Sequence, residues 1–193
     1  GEMVVRGEAV ISFKEFERIN SLLEGEEQYK NPRNLCSGTV RQLDSSIAAK
    51  RNVCFIAFSL VSAEGNSLGD LKTDWLDYLD SMGFQTVIRR VVTGNTVEDA
   101  VKWFEDNIPQ NEFATDGLVL TYNSISYSQS LGSTAKFPRD SIAFKWADEV
   151  AETVLRDVEW NTSRTGLINP IAIFDSVELE GTTVSRASLH NVS

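Results

Sequence analysis

The sequence predicts an α+β fold in which helices flank mostly antiparallel sheets, and two observations carry that prediction. Val-rich segments with strand alternation and amphipathic segments with helical spacing share the first 160 residues, a pattern typical of sheets and helices packed in layers. After Thr162 the helical spacing stops, and short strands with glycine-containing turns follow. We therefore expect two domains, residues 1–160 and residues 161–193, with the second a truncated all-β module.

The first elements are predicted from local patterns. Residues 3–11 alternate and are rich in valine, which indicates a strand. Residues 12–23 carry apolar side chains at helical spacing, and Ser12 with Glu15 three positions later forms a capping box at the start of this helix. Residues 53–61 are apolar on both faces, which predicts a central strand.

Further elements follow in the same way. We expect a helix capped by Ser67 and ended by Gly83, a strand over 84–92, and a helix capped by Thr96. Three more strands are predicted at residues 116–122, 141–146 and 153–160.

Composition and charge limit the possible functions. The chain has 193 residues and 41% hydrophobic content, enough for one domain with a core and the start of another. Its two cysteines form neither metal-ligand spacing nor a disulfide framework, which favours a reduced, cytoplasmic setting. Its longest apolar stretch is too short to span a bilayer, so no membrane is expected as a partner. The net charge of −10 argues against general nucleic-acid binding but allows a local basic patch.

Three segments contain residue types suited to binding or catalysis, although each also has a purely structural interpretation. Arg6-Gly7-Glu8 is also compatible with an ordinary strand bearing exposed charges. The second segment is Asn31 to Asn34, with Gly38 and with Arg41 to Asp44 after it. It is compatible with an Asn-Pro turn and a short helix, or with phosphate binding by two arginine forks. The third pairs Asp116 to Val119 with a strand ending in Lys145, which is equally a plain turn with a solvated lysine.

In this order the segments resemble the NAD-dependent DNA ligases. The same resemblance extends along the chain to Leu131 to Thr134, Pro138-Arg139, Phe144 to Trp146, Arg164 to Gly166, Pro170 and Gly181 to Asn191. It implies the C-terminal part of a nucleotidyltransferase (adenylation) domain, of the ATP-grasp-like ligase type, followed by the start of an OB-type β-barrel. Within that barrel, Arg186 and His190 are expected to be structural or to face DNA loosely, and His190 is not expected to bind a metal.

The resemblance also implies a reaction. A lysine attacks the α-phosphorus of NAD, and the adenylate then passes to the 5′-phosphate of nicked duplex DNA, with Mg²⁺ as the metal. The K-x-D-G motif that carries this lysine is absent and is expected before Gly1, so the chain alone is expected to be inactive. Arg33 and Arg41 would act catalytically by binding the phosphates of the nick. The parent protein is expected to be a monomer of the bacterial cytoplasm.

Four residues are implied in cofactor binding. Glu8 would accept hydrogen bonds from the ribose hydroxyls of the adenylate. Lys145 would contact its α-phosphate and stabilise developing charge. Asp116 would hold the metal or order the nucleotide-binding strand, to which Val119 also belongs.

The chain departs from the family pattern at several positions. Thr121 stands where the family has a lysine that helps bind the adenylate, Ile108 where an arginine is usual, and Asp140 where the family has Trp. The small Ala run after the Asn-Pro-Arg-Asn segment is here Leu-Cys-Ser. Hydrogen bonds to charged groups contribute about 1.5–3 kcal/mol each. Losing two cations beside the phosphates should therefore lower the activity by orders of magnitude. Two interpretations stay open: a divergent working ligase, or a degenerate paralogue that binds nucleotide or DNA, which the acidic charge fits slightly better.

Overall fold

The computed structural model describes residues 1–25, 28–146, 150–179 and 182–189. The chain divides into two compact units, residues 1–146 and residues 147–193. The predicted division after residue 160 falls within a strand, Leu155–Thr162, because the change of pattern that suggested it begins at the turn that follows this strand.

The first unit is α+β, as predicted. Its elements in chain order are β1 (Met3–Val10), α1 (Phe13–Asn20), α2 (Pro32–Val40), α3 (Ser45–Lys50), β2 (Cys54–Ala63), α4 (Lys72–Ser81), β3 (Gln85–Thr86), α5 (Val97–Asn107), a 3-10 turn (Ile108–Gln110), β4 (Gly117–Thr121), α6 (Ile125–Leu131) and β5 (Ser141–Lys145). β2 is central in the sheet β1-β2-β3, antiparallel to β1 and parallel to β3, and β4 pairs with β5 in a separate antiparallel hairpin.

A first buried cluster fixes α2 beside β1. Helix α1 begins as predicted, because the Ser12 hydroxyl accepts a hydrogen bond from the Glu15 N–H at 3.3 Å. Ile19 of this helix packs with Ile11, Leu35 and Cys36. The two helices and the end of β1 therefore share one core.

A second buried cluster fixes α4 on the sheet. Ala57 and Leu60 of β2 pack against Leu76 and Leu79 of α4. The helix begins at Lys72 rather than at the predicted cap Ser67, and its N-cap residue makes no side-chain capping hydrogen bond. Its start is fixed instead by contacts with the residues between β4 and α6, which the local pattern does not show.

Two other elements of the structure differ from what the sequence predicts. The strand expected over 84–92 shrinks to Gln85–Thr86, and the guanidinium of Arg89 turns back to the carboxylates of Asp77 and Asp80 on α4. Helix α6 was not predicted, because its sequence is polar and lacks a clear apolar face. It is started by Ser124, whose hydroxyl accepts from the Tyr127 N–H at 3.1 Å.

The second unit is an antiparallel meander of β6 (Leu155–Thr162), β7 (Ile168–Leu179) and β8 (Thr182–Ser188). The segment Arg164-Thr165-Gly166 forms the β6–β7 turn, and Gly166 adopts a left-handed φ of 83° there. The described residues form an open three-stranded sheet and show no closed barrel. Arg186 makes an ion pair with Glu159, and its role stays a prediction, whereas His190 lies outside the described residues. Within the described ranges, no helix is long and apolar enough to cross a membrane.

Candidate functional site

The Asn31-Pro32-Arg33-Asn34 segment is the start of a helix, as its structural interpretation predicted. The Asn31 side-chain oxygen accepts a hydrogen bond from the Asn34 N–H at 2.8 Å, and Pro32 occupies the first turn, where its missing N–H costs nothing. Pro32 is buried, whereas Arg33 points to solvent. The segment therefore presents an exposed guanidinium at the positive end of a helix dipole, a setting that favours anions.

Glycine in the Asp116-Gly117 pair is required by close packing. A Cβ atom at Gly117 would lie 2.2 Å from the Phe144 carbonyl oxygen and 2.9 Å from the Lys145 Cα. Gly117 pairs with Lys145 across the hairpin. The pairing of Gly117 with Lys145 therefore places Asp116, which precedes β4, beside Lys145, the last residue of β5.

Three charged side chains meet at this end of the hairpin. The Asp116 carboxylate oxygen Oδ2 lies 3.6 Å from Arg33 Nη2 and 3.9 Å from Lys145 Nζ. The side chains of both cations are 71% exposed, and that of Asp116 is 64% exposed. Ion pairs this long and this exposed stabilise a fold by about 1 kcal/mol at most. The arrangement instead offers two accessible cations to an anionic ligand, and we call Arg33, Asp116 and Lys145 the open cluster.

Glu8 lies on β1 near the middle of α2. The preceding Gly7 is needed for packing, because a Cβ there would lie 2.4 Å from the Phe55 ring. The thiol of Cys36, which donates to the Ala9 carbonyl oxygen, has its pKa raised by burial first and then by the negative charge of Glu8. Glu8 itself is exposed, so its carboxylate is free to accept hydrogen bonds from a ligand.

Two predicted site residues stand apart from the open cluster. Arg41 lies at the C-cap of α2, eight positions after Arg33 and therefore about 12 Å further along the helix axis. Val119 lies in the middle of β4 and is 70% exposed. Its side chain shares one face of the hairpin with Gly117 and Thr121, and it lies three residues after Asp116.

A metal site at Asp116 finds no support in the geometry. Among the described residues, no group of three His, Cys, Asp or Glu side chains is placed to hold a metal ion. The Asp116 carboxylate faces two cations, which would repel a divalent metal. The described residues therefore provide no preformed Mg²⁺ site at Asp116, and its role as a metal ligand stays a prediction.

The opposite end of the hairpin holds a charged group that the sequence motifs did not reveal. Lys72 Nζ, at the start of α4, donates to Thr121 Oγ1 and to Asp140 Oδ2, both at 2.6 Å. The Asp140 side chain is only 13% exposed, and its hydrogen bond from Lys72 lowers its pKa from 3.8 to about 2. We call Lys72, Thr121 and Asp140 the closed cluster. It unites two departures from the family pattern with a lysine far away in sequence.

The third departure, Ile108, lies in a turn. Ile108 begins the 3-10 turn after α5 and is partly buried. Its backbone carbonyl accepts a hydrogen bond from the Asn111 N–H at 2.9 Å. A partly buried position suits an apolar residue.

The fold and the open cluster define an α+β protein in which a helix start and a strand end bring two exposed cations together. Comparison with known proteins identifies the family. A family model of the NAD-dependent DNA ligase adenylation domain matches residues 1–149, and one of the NAD-dependent DNA ligase OB-fold domain matches residues 152–193. The chain belongs to the NAD-dependent DNA ligase family.

Individual relatives agree with the family models. The chain is 55% identical to the DNA ligase of Ruminiclostridium cellulolyticum and 53% identical to that of Lachnoclostridium phytofermentans, in each case over 100% of this chain and 30% of the relative. It is 41% identical to the DNA ligase of Bacillus subtilis over 97% of this chain and 28% of the relative. The chain thus spans less than a third of the length of these relatives.

Proposed function

We propose that this chain forms the ribose- and phosphate-binding wall of the adenylation site in a monomeric ligase that seals nicks in duplex DNA with NAD. In this proposal the nucleophilic lysine lies before Gly1. Its amine attacks the α-phosphorus of NAD, loses a proton and expels nicotinamide mononucleotide. The AMP then passes to the 5′-phosphate of the nick, and the 3′-hydroxyl displaces it to join the strand.

The open cluster is the observation that carries the proposal. Transfer at phosphorus builds negative charge on the phosphoryl oxygens, and fixed cations beside them stabilise that charge. Lys145 and Arg33 come from different elements, and they lie 3.9 and 3.6 Å from the same carboxylate oxygen of Asp116. A phosphate at this edge would take over part of the contacts that Asp116 now makes, while Asp116 keeps both cations aimed at the same place.

The remaining predicted residues take complementary roles. Glu8 accepts from the ribose hydroxyls, because an exposed carboxylate on a rigid strand is suited to a diol. Val119 supplies exposed apolar surface on the same hairpin for the nucleotide. Arg41 stands about 12 Å from Arg33 along α2, which suits a phosphate of the DNA better than the α-phosphate of NAD.

Transfer of label tests the enzymatic proposal directly. The full-length protein is incubated with NAD that is labelled in its adenylate half, and acid-stable label on the protein is measured. We expect the full-length protein to be labelled and the 193-residue chain to remain unlabelled. An unlabelled full-length protein would contradict the proposed reaction, and labelling of the chain would show that a nucleophile lies within it.

Binding by the chain itself gives a second test. We expect AMP or NAD to raise the melting temperature of the chain and the Glu8→Ala variant to lose that shift. Glu2→Ala, which removes an exposed carboxylate ahead of the same strand, is the matched control and should keep the shift. An equal shift in all three proteins would place nucleotide binding away from Glu8.

A second candidate function, nucleotide or DNA binding without catalysis, is favoured by the closed cluster. The lysine that approaches Thr121 is neutralised by Asp140, so this end of the hairpin adds no net positive charge. A full-length protein that binds nicked DNA but takes no label from NAD would support this candidate.

A further inference from the structure

The start of α4 is fastened to the β4–β5 hairpin by hydrogen bonds. The Lys72 N–H donates to the Asn123 carbonyl oxygen at 2.8 Å, and the Thr73 N–H donates to the Asn123 side chain at 3.0 Å. Nearby, the Asp70 carboxylate accepts from the Ser126 N–H at 2.7 Å and from the Ser124 hydroxyl at 2.6 Å. The closed cluster extends this attachment from the connecting residues to both strands of the hairpin.

Within the closed cluster, the Lys72 ammonium joins the two strands. It donates to Thr121 at the end of β4 and to Asp140, which immediately precedes β5. The Ser141 hydroxyl lies 2.8 Å from Thr121 Oγ1 and 2.9 Å from Asp140 Oδ1, and its single proton can be donated to either oxygen. An ammonium held this closely by a carboxylate is already charge-compensated, and it is poorly suited to bind a substrate phosphate.

The open and closed clusters lie at opposite ends of the same hairpin. Asp116 and Thr121 are five residues apart in an extended segment, which is about 17 Å. Helix α4 is itself packed on β2 through the buried Leu76 and Leu79. Any tilt of the hairpin about its attachment to α4 would therefore shift Lys145 relative to Arg33, which is fixed on α2.

We propose that Lys72 is a positioning residue for phosphoryl transfer: its ion pair with Asp140 sets the orientation of the β4–β5 hairpin and so places Lys145 opposite Arg33. This inference rests on the proposed function. Lys72 touches no substrate in this account and acts through Lys145.

The rate of self-adenylation of the full-length protein tests the proposal. Displacement of a catalytic group by about 1 Å can cost about 100-fold in rate, so we expect Lys72→Met to lower the maximal rate about 10- to 100-fold. The KM for NAD should change less than about threefold, since Glu8 and Arg33 stay in place and Lys145 acts mainly on the transition state. Lys102→Met, which removes an exposed lysine of α5, is the matched control and should keep the wild-type rate.

Reversal of the ion pair separates positioning from direct contact. Lys72→Asp combined with Asp140→Lys restores the pair with the charges exchanged. We expect this double variant to recover most of the rate, because orientation and not the location of the ammonium is what matters. A double variant as slow as Lys72→Met would overturn the positioning role, and so would wild-type activity in Lys72→Met.

A structural readout keeps this test separate from the proposed function. Spin labels are placed at Lys14 on α1 and at Ile142 on β5, both exposed, in a full-length protein whose Cys36 and Cys54 are replaced. We expect the distance distribution between them to broaden in Lys72→Met and to narrow again in the reversed pair. An unchanged distribution overturns the inference whether or not the protein is labelled by NAD, whereas a broadened distribution in an unlabelled protein overturns only the proposed reaction.

Discussion

The two ends of the β4–β5 hairpin carry the same kinds of charged side chain in opposite settings. At the open cluster, the Asp116 carboxylate lies 3.6 and 3.9 Å from its cations, and all three side chains are exposed. At the closed cluster, Lys72 Nζ lies 2.6 Å from Asp140, whose side chain is 13% exposed.

The contrast shows how burial and distance separate a binding group from a structural one. Exposed charges with loose contacts contribute little to stability but can be given up to a ligand at little cost. A short, shielded pair stabilises the fold and is expensive to break, because the remaining partner would be left uncompensated. On this account, substitutions in the closed cluster should change stability and, through the position of Lys145, the rate, whereas substitutions of the three open-cluster side chains should change activity alone.

The largest effect on stability is expected where the hairpin strands approach most closely. Gly117→Ala should lower the free energy of unfolding by about 2–3 kcal/mol, because its Cβ would clash with the backbone of β5. Gly94→Ala is the matched control, since a Cβ there meets nothing within 4 Å and its φ is not in the left-handed region. Urea denaturation of the chain measures both, and a Gly117→Ala variant as stable as the control would contradict the described register.

The next effect is a pH dependence at the closed end. Because the pKa of Asp140 is lowered to about 2, its contribution to stability is fully present above its unfolded value of 3.8 and is lost as the pH falls from about 4 towards 2. We expect that contribution to be about 1–2 kcal/mol. Asp140→Asn should therefore be less stable at pH 7 and should lose less stability between pH 4 and pH 2.

Denaturation curves at several pH values check this. Equal pH dependence in the wild type and in Asp140→Asn would show that the pair with Lys72 does not form in solution.

A smaller effect is expected from the hydroxyl in the closed cluster. Thr121→Val keeps the shape of the side chain but removes the acceptor for Lys72 and Ser141. One such hydrogen bond contributes about 1 kcal/mol, so the variant should lose about that much stability in urea denaturation. A loss near zero would mean that Asp140 alone holds Lys72 in place.

The smallest effect on stability is expected at the open cluster. Arg33→Ala should change the free energy of unfolding by less than about 0.5 kcal/mol, because its ion pair with Asp116 is long and exposed. The same denaturation assay measures it. A loss above about 1 kcal/mol would assign Arg33 to the structure of the chain.

Local patterns were enough to predict part of the fold. The capping of α1 by Ser12, the central strand β2 and the strands β4 and β5 follow from side-chain periodicity and turn chemistry. Helix α6 was missed because a Ser-rich polar segment has no helical stripe of apolar residues. The strand expected after Phe84 is short because Arg89 satisfies its charge on α4 instead of extending the sheet.

Motifs in the sequence identified the residues of the open cluster but not their arrangement. Arg33, Asp116 and Lys145 each stood in a segment typical of the family, and the structure brings the three together. Their roles in catalysis stay predictions. Lys72 could not be found in this way, because its partners are 49 and 68 residues away and only tertiary packing unites them.

The most direct test of the central claim is the transfer of label from NAD to the full-length Lys145→Met variant, with its stability measured in parallel. The account predicts a fall in the rate of labelling of about 100-fold or more, since one charge stabiliser of the transition state contributes about 3–4 kcal/mol, together with unchanged stability. Labelling at the wild-type rate, or a loss of rate that follows a loss of stability, would contradict the division between a functional open end and a structural closed end of the hairpin.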